Sequence, residues 1–466
     1  MERKNNQELY DRLRIKYPVF TYKKFDFTYN EKSNQLDMKF YFESSEHTFE
    51  HVLSIPINEL FKNRISSLED FSLIVFHIGM IELISYRKAV ASPTVIVEAG
   101  HLTEQQITFW KKLYLNGLGE YFYLNDIEAD RDTFMTITSS RKSLPKYTYE
   151  LFNDEVLVPI WGGKDSVVTL ELLKNNGFNV VPMIINPRGA TLNCMKAAEI
   201  SPWNYLTIFR YIDPYLLTLN SQGYLNGHVP FSAMLAFVSI LISALTGSKY
   251  IALSNENSAN ESTVLGQNIN HQYSKSLEFE NDFRVYVKEN IGEQFNYFSF
   301  LRPLNELQIA QQFSLFSQYH KVFRSCNAGS KTDSWCCVCA KCLFAYIILS
   351  PFISPEKLQE YFGINILNKE ELKKYFRELL GLEEVKPFEC VGTVEEVNVA
   401  LALLIERYPE SKDFLLVEYR LSLPSSWGYI GMDKQQFLSE LSKEYNLEEN
   451  FFIILSNGDV SENCIK

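Results

Sequence analysis

A pair of glycines stands between a short apolar run and a polar Lys-Asp-Ser triplet, in the segment Trp161-Gly162-Gly163-Lys164-Asp165-Ser166. Two glycines allow a tight turn, and a turn that leads into a helix points several backbone N–H groups at one place, where an anion can bind. Lys164 would contribute charge to phosphate oxygens, Asp165 would hold Mg2+, and Ser166 would cap the helix. The G-x-x-x-x-G-K spacing of a Walker A loop is absent, so the segment predicts a phosphate-binding turn of another kind.

Four cysteines are spaced as metal ligands. Cys336, Cys339 and Cys342 form C-x-x-C-x-x-C, and Cys326 lies ten residues upstream. Four thiolates at this spacing favour one tetrahedral ion, for which zinc is the natural occupant, while Cys337 would point elsewhere. A closed four-cysteine site leaves no open position for chemistry, so we expect it to order the fold. Free buried cysteines are the alternative interpretation.

The elements around the glycine pair alternate between strand and helix patterns. Val156 to Ile160 is a short apolar run, Val167 to Lys174 has a helical pattern, and Asn179 to Ile185 is a second apolar run. This βαβ order predicts a parallel, doubly wound sheet. A later strand, Tyr250 to Ser254, leads into the polar stretch Asn255 to Glu261. Because ligands bind at the carboxyl ends of parallel strands, we expect both polar loops to face one site.

The rest of the chain predicts two flanking regions. Residues 1–148 mix alternating strand patterns with long helical ones, which indicates an α+β domain. Residues 149–350 hold the phosphate turn, the parallel strands and the cysteines, and residues 351–466 have a mainly helical pattern after two prolines. The apolar run Phe231 to Thr246 is shorter than a membrane span and contains three serines, so we expect a buried helix.

Composition narrows the classes of function. The chain has 466 residues, 46% of them hydrophobic, and a formal net charge of -12, which disfavours nonspecific binding to nucleic acid. The first residues, MERKNNQELYDRLRIKY, lack the apolar segment of a secretory signal. We therefore expect a soluble cytoplasmic protein that binds neither nucleic acid nor membrane.

The turn resembles the S-G-G-x-D-S motif of the PP-loop ATP pyrophosphatases. These proteins have an adenine nucleotide alpha hydrolase-like fold and cleave ATP between its α and β phosphates to give an adenylated intermediate. The resemblance implies that ATP and Mg2+ bind at the turn. Trp161 departs from the motif because it stands where the pattern has its first serine.

Further segments resemble one PP-loop family, the ATP-dependent UDP-N-acetylmuramoyl-L-alanyl-L-glutamate epimerases of peptidoglycan synthesis. The resemblance implies inversion of the terminal L-glutamate of the UDP-linked muramoyl dipeptide to D-glutamate after adenylation of its carboxylate. Adenylation makes that carboxylate an electron sink, so that a base can remove the α-proton and an acid can return it from the other face. The segments that carry the resemblance, besides the cysteines, are Gly117 to Tyr121, Trp161 to Ser166, Leu225 to Pro230, Ser254 to Glu261, Asn270 to Ser276 and Lys386 to Thr393.

These patterns give two sets of candidate site residues. We expect the nucleotide and the substrate's anionic groups to contact Gly162, Gly163, Lys164, Asp165, Ser166, Asn255, Arg188 and Arg210. We expect the chemistry to depend on Lys164, Asp165, Glu256, His271, Lys275 and Cys390. Which residue is the acid and which is the base stays open, and structural roles compete for His271, Cys390 and the nearby His228.

Two other functions fit part of the sequence. A PP-loop ligase related to 7-cyano-7-deazaguanine synthase would share the turn and the cysteines, but it leaves the first 148 residues and the segment Phe388 to Thr393 without a role. A zinc-stabilised interaction module, in which Trp161 marks a degenerate loop, is the alternative from a different class. Magnesium-dependent binding of ATP distinguishes that module from either enzyme.

Overall fold

The computed structural model describes residues 3–58, 60–61, 67–151, 153–264, 266–267, 269–422 and 433–457. Their strands form one ten-stranded sheet, in the order β10-β9-β6-β7-β8-β3-β2-β1-β4-β5. The strands are β1 (Val19–Asn30), β2 (Gln35–Ser44), β3 (His47–Pro56), β4 (Thr94–Val97), β5 (Thr136–Ser139), β6 (Asn153–Pro159), β7 (Val180–Ile185), β8 (Leu206–Tyr211), β9 (Ser248–Leu253) and β10 (Asn296–Ser299).

Half of the sheet is parallel throughout. Strands β10, β9, β6, β7 and β8 all run the same way, and Leu157 in the central strand β6 aligns with Val181 on one side and Ile251 on the other. The expected parallel arrangement of β6, β7 and β9 is therefore confirmed. Parallel strands need crossover connections, and α-helices supply them here.

An antiparallel pairing joins this half to the rest of the sheet. Strand β3 pairs with β8, with Leu53 opposite Arg210, and β3, β2 and β1 follow as antiparallel neighbours before the parallel strands β4 and β5. The mixed α/β class is confirmed. Strands on both sides of residue 148 thus share one sheet, and the division into 1–148, 149–350 and 351–466 stays a prediction.

Helices cover both faces of the sheet. The α-helices of the described residues are α1 (Gln7–Lys16), α2 (Ser72–Val90), α3 (Glu104–Gly117), α4 (Gly119–Asn125), α5 (Lys164–Asn175), α6 (Gly189–Ala197), α7 (Pro214–Ser221), α8 (Phe231–Thr246), α9 (Leu277–Asn290), α10 (Glu306–Leu315), α11 (Gly329–Thr332), α12 (Ala340–Leu349), α13 (Pro355–Phe362), α14 (Lys373–Leu379), α15 (Val394–Arg407), α16 (Phe414–Ser422), α17 (Lys434–Ser439) and α18 (Glu449–Ser456).

Alternate residues of the parallel strands point into two separate cores. In β6, Leu157 packs into the core that contains α2, α3, α8 and α9, whereas Val156 and Val158 pack into the core that contains α5, α10, α12 and α15. Burial on both faces explains why these strands are continuous apolar runs and do not alternate with polar residues.

The apolar helix α8 spans the range that the sequence predicts, Phe231–Thr246, and lies in the first core. Within the described part of the chain, we find no helix whose length and hydropathy would suit it to cross a membrane.

Candidate functional site

The turn between β6 and α5 is built on two glycines. Gly162 has φ +79°, and a Cβ there would lie 2.8 Å from the backbone nitrogen of Thr191 in α6. A side chain would therefore strain the backbone and collide with a neighbouring helix. Gly163 is the N-cap residue of α5, so the free N–H groups of that helix face the carboxyl edge of the sheet.

Ser166 holds the turn from inside the helix and does not cap it. Its Oγ accepts a hydrogen bond from the Trp161 N–H at 3.4 Å and donates one to the Gly163 carbonyl at 3.1 Å. The expectation that Ser166 caps α5 is wrong, because the cap position falls three residues earlier, at Gly163. The Trp161 ring is 41% exposed and meets Phe231 edge-on, with 5.0 Å between ring centroids.

Lys164 is buried, and its ammonium group contacts two carboxylates, those of Asp165 and Glu306. Burial alone would lower the pKa of Lys164, but the two negative charges outweigh it and raise that pKa. The Asp165 side chain keeps 34% of its surface exposed, so it can still reach a ligand. The sequence predicts a contact between Lys164 and phosphate, and the structure adds two protein carboxylates that surround its charge.

Further carboxylates lie behind Lys164. Burial raises the pKa of Glu306, and the positive charge of Lys164 opposes that rise. Burial likewise raises the pKa of Glu396 to about 7, and a carboxylate oxygen of Glu396 accepts the Glu306 N–H at 2.8 Å. The negative charge of Glu256 contributes to the raised pKa values of both glutamates. Glu256, Glu306 and Glu396 therefore lie close enough together for their charges to interact.

The polar loop after β9 reaches the same edge as the glycine turn, as β6 and β9 are parallel neighbours. Asn255 donates from Nδ2 to the Ser299 Oγ at 3.0 Å. The fully buried Arg302 donates to the Glu256 carbonyl at 2.6 Å and also contacts the Lys275 carbonyl. Arg302 therefore fastens the Glu256 loop to the segment that carries Lys275.

Lys275, His271 and Cys390 lie together. The charges of His271 and Lys275 lie close enough to the Cys390 thiol to act on its ionisation. Burial opposes ionisation of Cys390, but the charges of Lys275, Lys341 and His271 outweigh it and hold the thiol pKa well below its usual value. Asp165 and Glu256 lie close enough to Lys275 to raise its pKa. The Cys390 thiol and the glycine turn therefore border one site.

His271 has a second contact, to Glu120 at the start of α4. Its Nδ1 lies 2.5 Å from Oε2 of Glu120, and the ring of His228 lies 4.4 Å from that of His271. Burial would lower the pKa of His271, but the nearby Cys390 thiol and the Glu120 carboxylate raise it to about 9. Burial and the charge of His271 lower the pKa of His228 to about 4.

The two arginines of the predicted site have protein partners. Arg210 in β8 donates from Nε and Nη2 to the carboxylate of Glu82 in α2, at 2.7 and 2.6 Å. Arg188 is exposed at the start of α6, beside the glycine turn, and donates to the Ser330 Oγ at 2.7 Å. Contact of either arginine with substrate stays a prediction.

The four cysteines converge, with all their sulfur atoms within 4.8 Å of one another. Cys326 accepts the Gly329 N–H at 3.0 Å, and Cys339 caps α12 by accepting the Cys342 N–H at 3.4 Å. Cys337 turns away, as expected, and its sulfur contacts the Phe362 carbonyl at 3.4 Å. A group of four thiols with backbone donors to sulfur suits zinc.

The cysteine group adjoins the glycine turn. Two residues before Cys326, the Arg324 N–H donates to the Gly162 carbonyl at 2.8 Å. Ordering of the cysteine segment therefore also orders the backbone around Gly162.

Four residues of the site were missed by sequence reasoning: Glu120, Arg302, Glu306 and Glu396. Two of them carry a local signal, since the capping boxes Asn305-x-x-Gln308 and Thr393-x-x-Glu396 mark helix starts near Glu306 and at Glu396. Glu120 falls in a segment that carries the family resemblance but has no distinctive spacing. Arg302 has no local signal, because its partners lie on other segments.

The fold and the site define a mixed α/β protein whose polar and titratable groups gather at the carboxyl edge of a parallel sheet, beside four cysteines able to hold a metal ion. Comparison with protein families gives two matches, to the MurL N-terminal domain over residues 12–300 and to the MurL C-terminal domain over residues 322–428.

Three curated relatives are named UDP-N-acetyl-alpha-D-muramoyl-L-alanyl-L-glutamate epimerase. The chain is 36% identical to the protein of Micromonospora sp. over 70% of its own length and 73% of the relative. It is 34% identical to that of Salinispora tropica, covering 84% and 85%, and 32% identical to that of Xanthomonas oryzae pv. oryzae, covering 72% and 75%. The chain belongs to this epimerase family, as the resemblance predicts.

Proposed function

We propose that this protein inverts the terminal L-glutamate of UDP-N-acetylmuramoyl-L-alanyl-L-glutamate to D-glutamate, using ATP to adenylate the glutamate carboxylate first. The observation that carries the proposal is that family matches cover both the segment with the phosphate turn and the segment with Cys390. The ligase alternative gives no reason for the match to residues 12–148. Acting on a UDP-linked precursor of peptidoglycan, the enzyme would work in the cytoplasm.

The order of steps follows from acidity. A proton on the carbon beside a free carboxylate is hard to remove, because the carbanion would form next to a negative charge. Adenylation would release pyrophosphate, remove that charge and provide a place for the electron pair. After the α-carbon is inverted, water would cleave the adenylate to give AMP and the free carboxylate. The N–H groups at the start of α5 and the Asp165 carboxylate would hold the triphosphate, with Mg2+ on Asp165 neutralising the phosphate charge when bound.

Lys164 would change partners during this step. In the structure its charge is taken by Asp165 and Glu306. A phosphate oxygen near Gly163 would offer a third negative partner without requiring the side chain to leave the core. Burial already raises the pKa of Glu306, so that carboxyl could take a proton as Lys164 moves towards phosphate.

Proton transfer would fall to groups next to this turn. Cys390 has its thiol pKa held well below the usual value by Lys275, Lys341 and His271, although burial opposes this, and a thiolate is a suitable base for a carbon acid. Lys275 lies between the thiol and the acids Asp165 and Glu256, and is a candidate to return the proton. Glu256, held by Arg302, would position the loop that carries Asn255 around the nucleotide.

The four-cysteine group would have a structural role. A zinc ion closed by four thiolates has no free position for substrate, and its segment bonds directly to the Gly162 carbonyl. We propose that zinc keeps the phosphate turn in its binding conformation.

Isotope exchange tests the proposal. In heavy water with ATP, Mg2+ and the UDP-linked L-Ala-L-Glu substrate, we expect D-glutamate that carries deuterium at the α-carbon, together with AMP and pyrophosphate. Asp165→Asn should abolish both AMP release and exchange, because exchange depends on adenylation. Asp154→Asn is the matched control, since Asp154 is an exposed acid near the opposite end of β6. Release of ADP and phosphate, or exchange by Asp165→Asn at the normal rate, would contradict the proposal.

A further inference from the structure

Three metal-binding side chains from separate segments meet beside Cys390. Glu120 lies in the first turn of α4, His228 lies in the loop before α8, and His271 lies in the long loop between β9 and α9. Oε2 of Glu120 lies 2.5 Å from Nδ1 of His271 and 3.8 Å from Nδ1 of His228. The three donor atoms all lie within 4.8 Å of one another. We infer that these residues form a second metal site, separate from the four cysteines, for a divalent transition-metal ion such as Zn2+.

The surrounding structure holds the His228 segment in place. A Cβ on Gly227 would lie 3.0 Å from the Tyr121 side chain, so the backbone before His228 is seated directly on α4. The Lys88 ammonium contacts the Gly227 carbonyl and the Asn226 Oδ1, and the Asn125 Nδ2 donates to the Asn226 carbonyl at 3.0 Å. The loop therefore presents His228 to Glu120 before any ion binds.

The His271 segment is equally constrained. The His271 N–H donates to the Thr263 Oγ1 at 3.0 Å, and Asn270 bonds both the Ala259 carbonyl and the Gln272 N–H, at 2.8 and 2.7 Å. Phe388 lies edge-on to the His271 ring, 6.4 Å between centroids. An ion entering this site would find its donors positioned and would need to separate only the hydrogen-bonded pair of Glu120 and His271.

The donor set selects the kind of ion. Two imidazoles and one carboxylate are the protein ligands of many zinc sites that keep an open fourth position. Imidazole nitrogen suits zinc, copper, iron and nickel, whereas Mg2+ prefers oxygen ligands and water. The side chains of Glu120, His271 and His228 are 6%, 11% and 29% exposed, so the group is sheltered but accessible from one side. The positive charges of Lys88 and Lys275 nearby oppose cation binding, and the carboxylate of Glu120 offsets them.

The site would change the role of His271. A histidine whose Nδ1 binds a metal ion cannot also carry a proton on that nitrogen. If the proposed epimerase function holds, on which this consequence alone rests, the groups left to move the α-proton are Cys390 and Lys275. The metal-binding inference itself needs no substrate and can be tested without the reaction.

Metal titration of the full-length protein tests the site. The wild-type chain, purified with excess Zn2+ and freed of unbound ions by gel filtration, should hold two equivalents of Zn2+, measured by elemental analysis. Cys336→Ser/Cys342→Ser should keep one equivalent, and His228→Ala should also keep one. His101→Ala, which changes an exposed histidine bonded to the Ser140 carbonyl, is the matched control and should keep two.

Cobalt spectroscopy assigns each equivalent to its ligands. Co2+ bound by the cysteines should show thiolate-to-metal charge transfer, whereas Co2+ at Glu120, His228 and His271 should show only weaker ligand-field bands. Those bands should vanish in His228→Ala and in Glu120→Gln while the charge-transfer band stays. A single equivalent in the wild-type protein, or two in both His228→Ala and Glu120→Gln, would overturn the inference. If His228→Ala does not fold by circular dichroism, His228→Gln at this partly exposed position gives the same comparison.

Discussion

Lys164 and Glu306 form a buried ion pair that joins the first turn of α5 to the first turn of α10. A lysine at a helix N-terminus opposes the helix dipole, whereas a glutamate there is favourable. Because Glu306 offsets the charge of Lys164, the glycine turn can keep a cation inside the protein. The pair therefore links the stability of the fold to the proposed nucleotide site.

Replacing Lys164 should affect both stability and ATP use. Lys164→Ala leaves Glu306 buried without its partner, and loss of one member of a buried pair costs about 3–5 kcal/mol of unfolding free energy. Lys164→Ala/Glu306→Gln should recover much of that stability, since the uncompensated charge is gone, but should not recover ATP consumption. Urea unfolding and AMP release measure the two effects separately. Normal ATP kinetics in the folded double variant would exclude Lys164 from the nucleotide site.

The four-cysteine group should hold about one zinc ion that the fold requires. Cys336→Ser or Cys342→Ser should lose this ion and lower the yield of folded protein, since the cysteine segment bonds to the Gly162 carbonyl through Arg324. Cys337→Ser is the control, because Cys337 lies between two ligands in sequence but contacts the Phe362 carbonyl. Elemental analysis and thermal unfolding provide the measurements. A zinc content equal to that of the wild-type protein, in a variant lacking Cys326, Cys336, Cys339 and Cys342, would show that the ion binds elsewhere.

The ion pair of Arg210 and Glu82 should stabilise the folded protein. Glu82 is buried, and its other neighbour is the ring of His51, with Nε2 at 3.2 Å. Arg210→Met should lower the unfolding free energy by about 3–5 kcal/mol, because it leaves a buried carboxylate unpaired, and Arg210→Met/Glu82→Gln should recover much of the loss. The predicted contact between Arg210 and the substrate is tested by the KM for the UDP-linked substrate in the stable double variant. A large rise in KM there would support substrate contact by Arg210.

The sequence predicted the elements that depend on local patterns. Continuous apolar runs and a glycine turn marked β6, α5 and β7, and the apolar run of α8 marked a buried helix with its observed bounds. The cysteine spacing predicted which four sulfur atoms meet. In each case the sequence pattern and the element that it predicts lie within a few dozen residues of each other. Hydrophobic periodicity and residue spacing are therefore sufficient to predict that element.

Contacts between distant segments were not predictable in this way. The pairing of β3 with β8, which merges two halves into one sheet, leaves no local mark on either strand. Glu306 reaches Lys164 across 142 positions, and Glu120 reaches His271 across 151. A single sequence shows charged residues at such positions but not the partners that bury them, so it assigned Lys164 to phosphate alone.

His77 should make the fold sensitive to acid. It is fully buried in α2, its ring stacks on Trp110 and Phe237, and its Nδ1 lies 3.2 Å from the hydroxyl oxygen of Tyr286. Burial lowers the pKa of His77 to about 3, below the value near 6.5 of an exposed histidine. Below pH 6.5, His77 is therefore protonated in the unfolded chain but stays neutral in the folded protein. The free energy of unfolding falls as the pH drops towards 3. By pH 5 this should cost about 2 kcal/mol relative to pH 8.

His77→Phe keeps an aromatic ring in the same packing, so the drop in unfolding free energy between pH 8 and pH 5 should shrink by about that amount. Urea unfolding at the two pH values measures the drop, and His101→Phe, at an exposed histidine, should leave it unchanged. An equal drop in wild type and His77→Phe would mean that His77 takes up a proton in the folded protein as readily as in the unfolded chain.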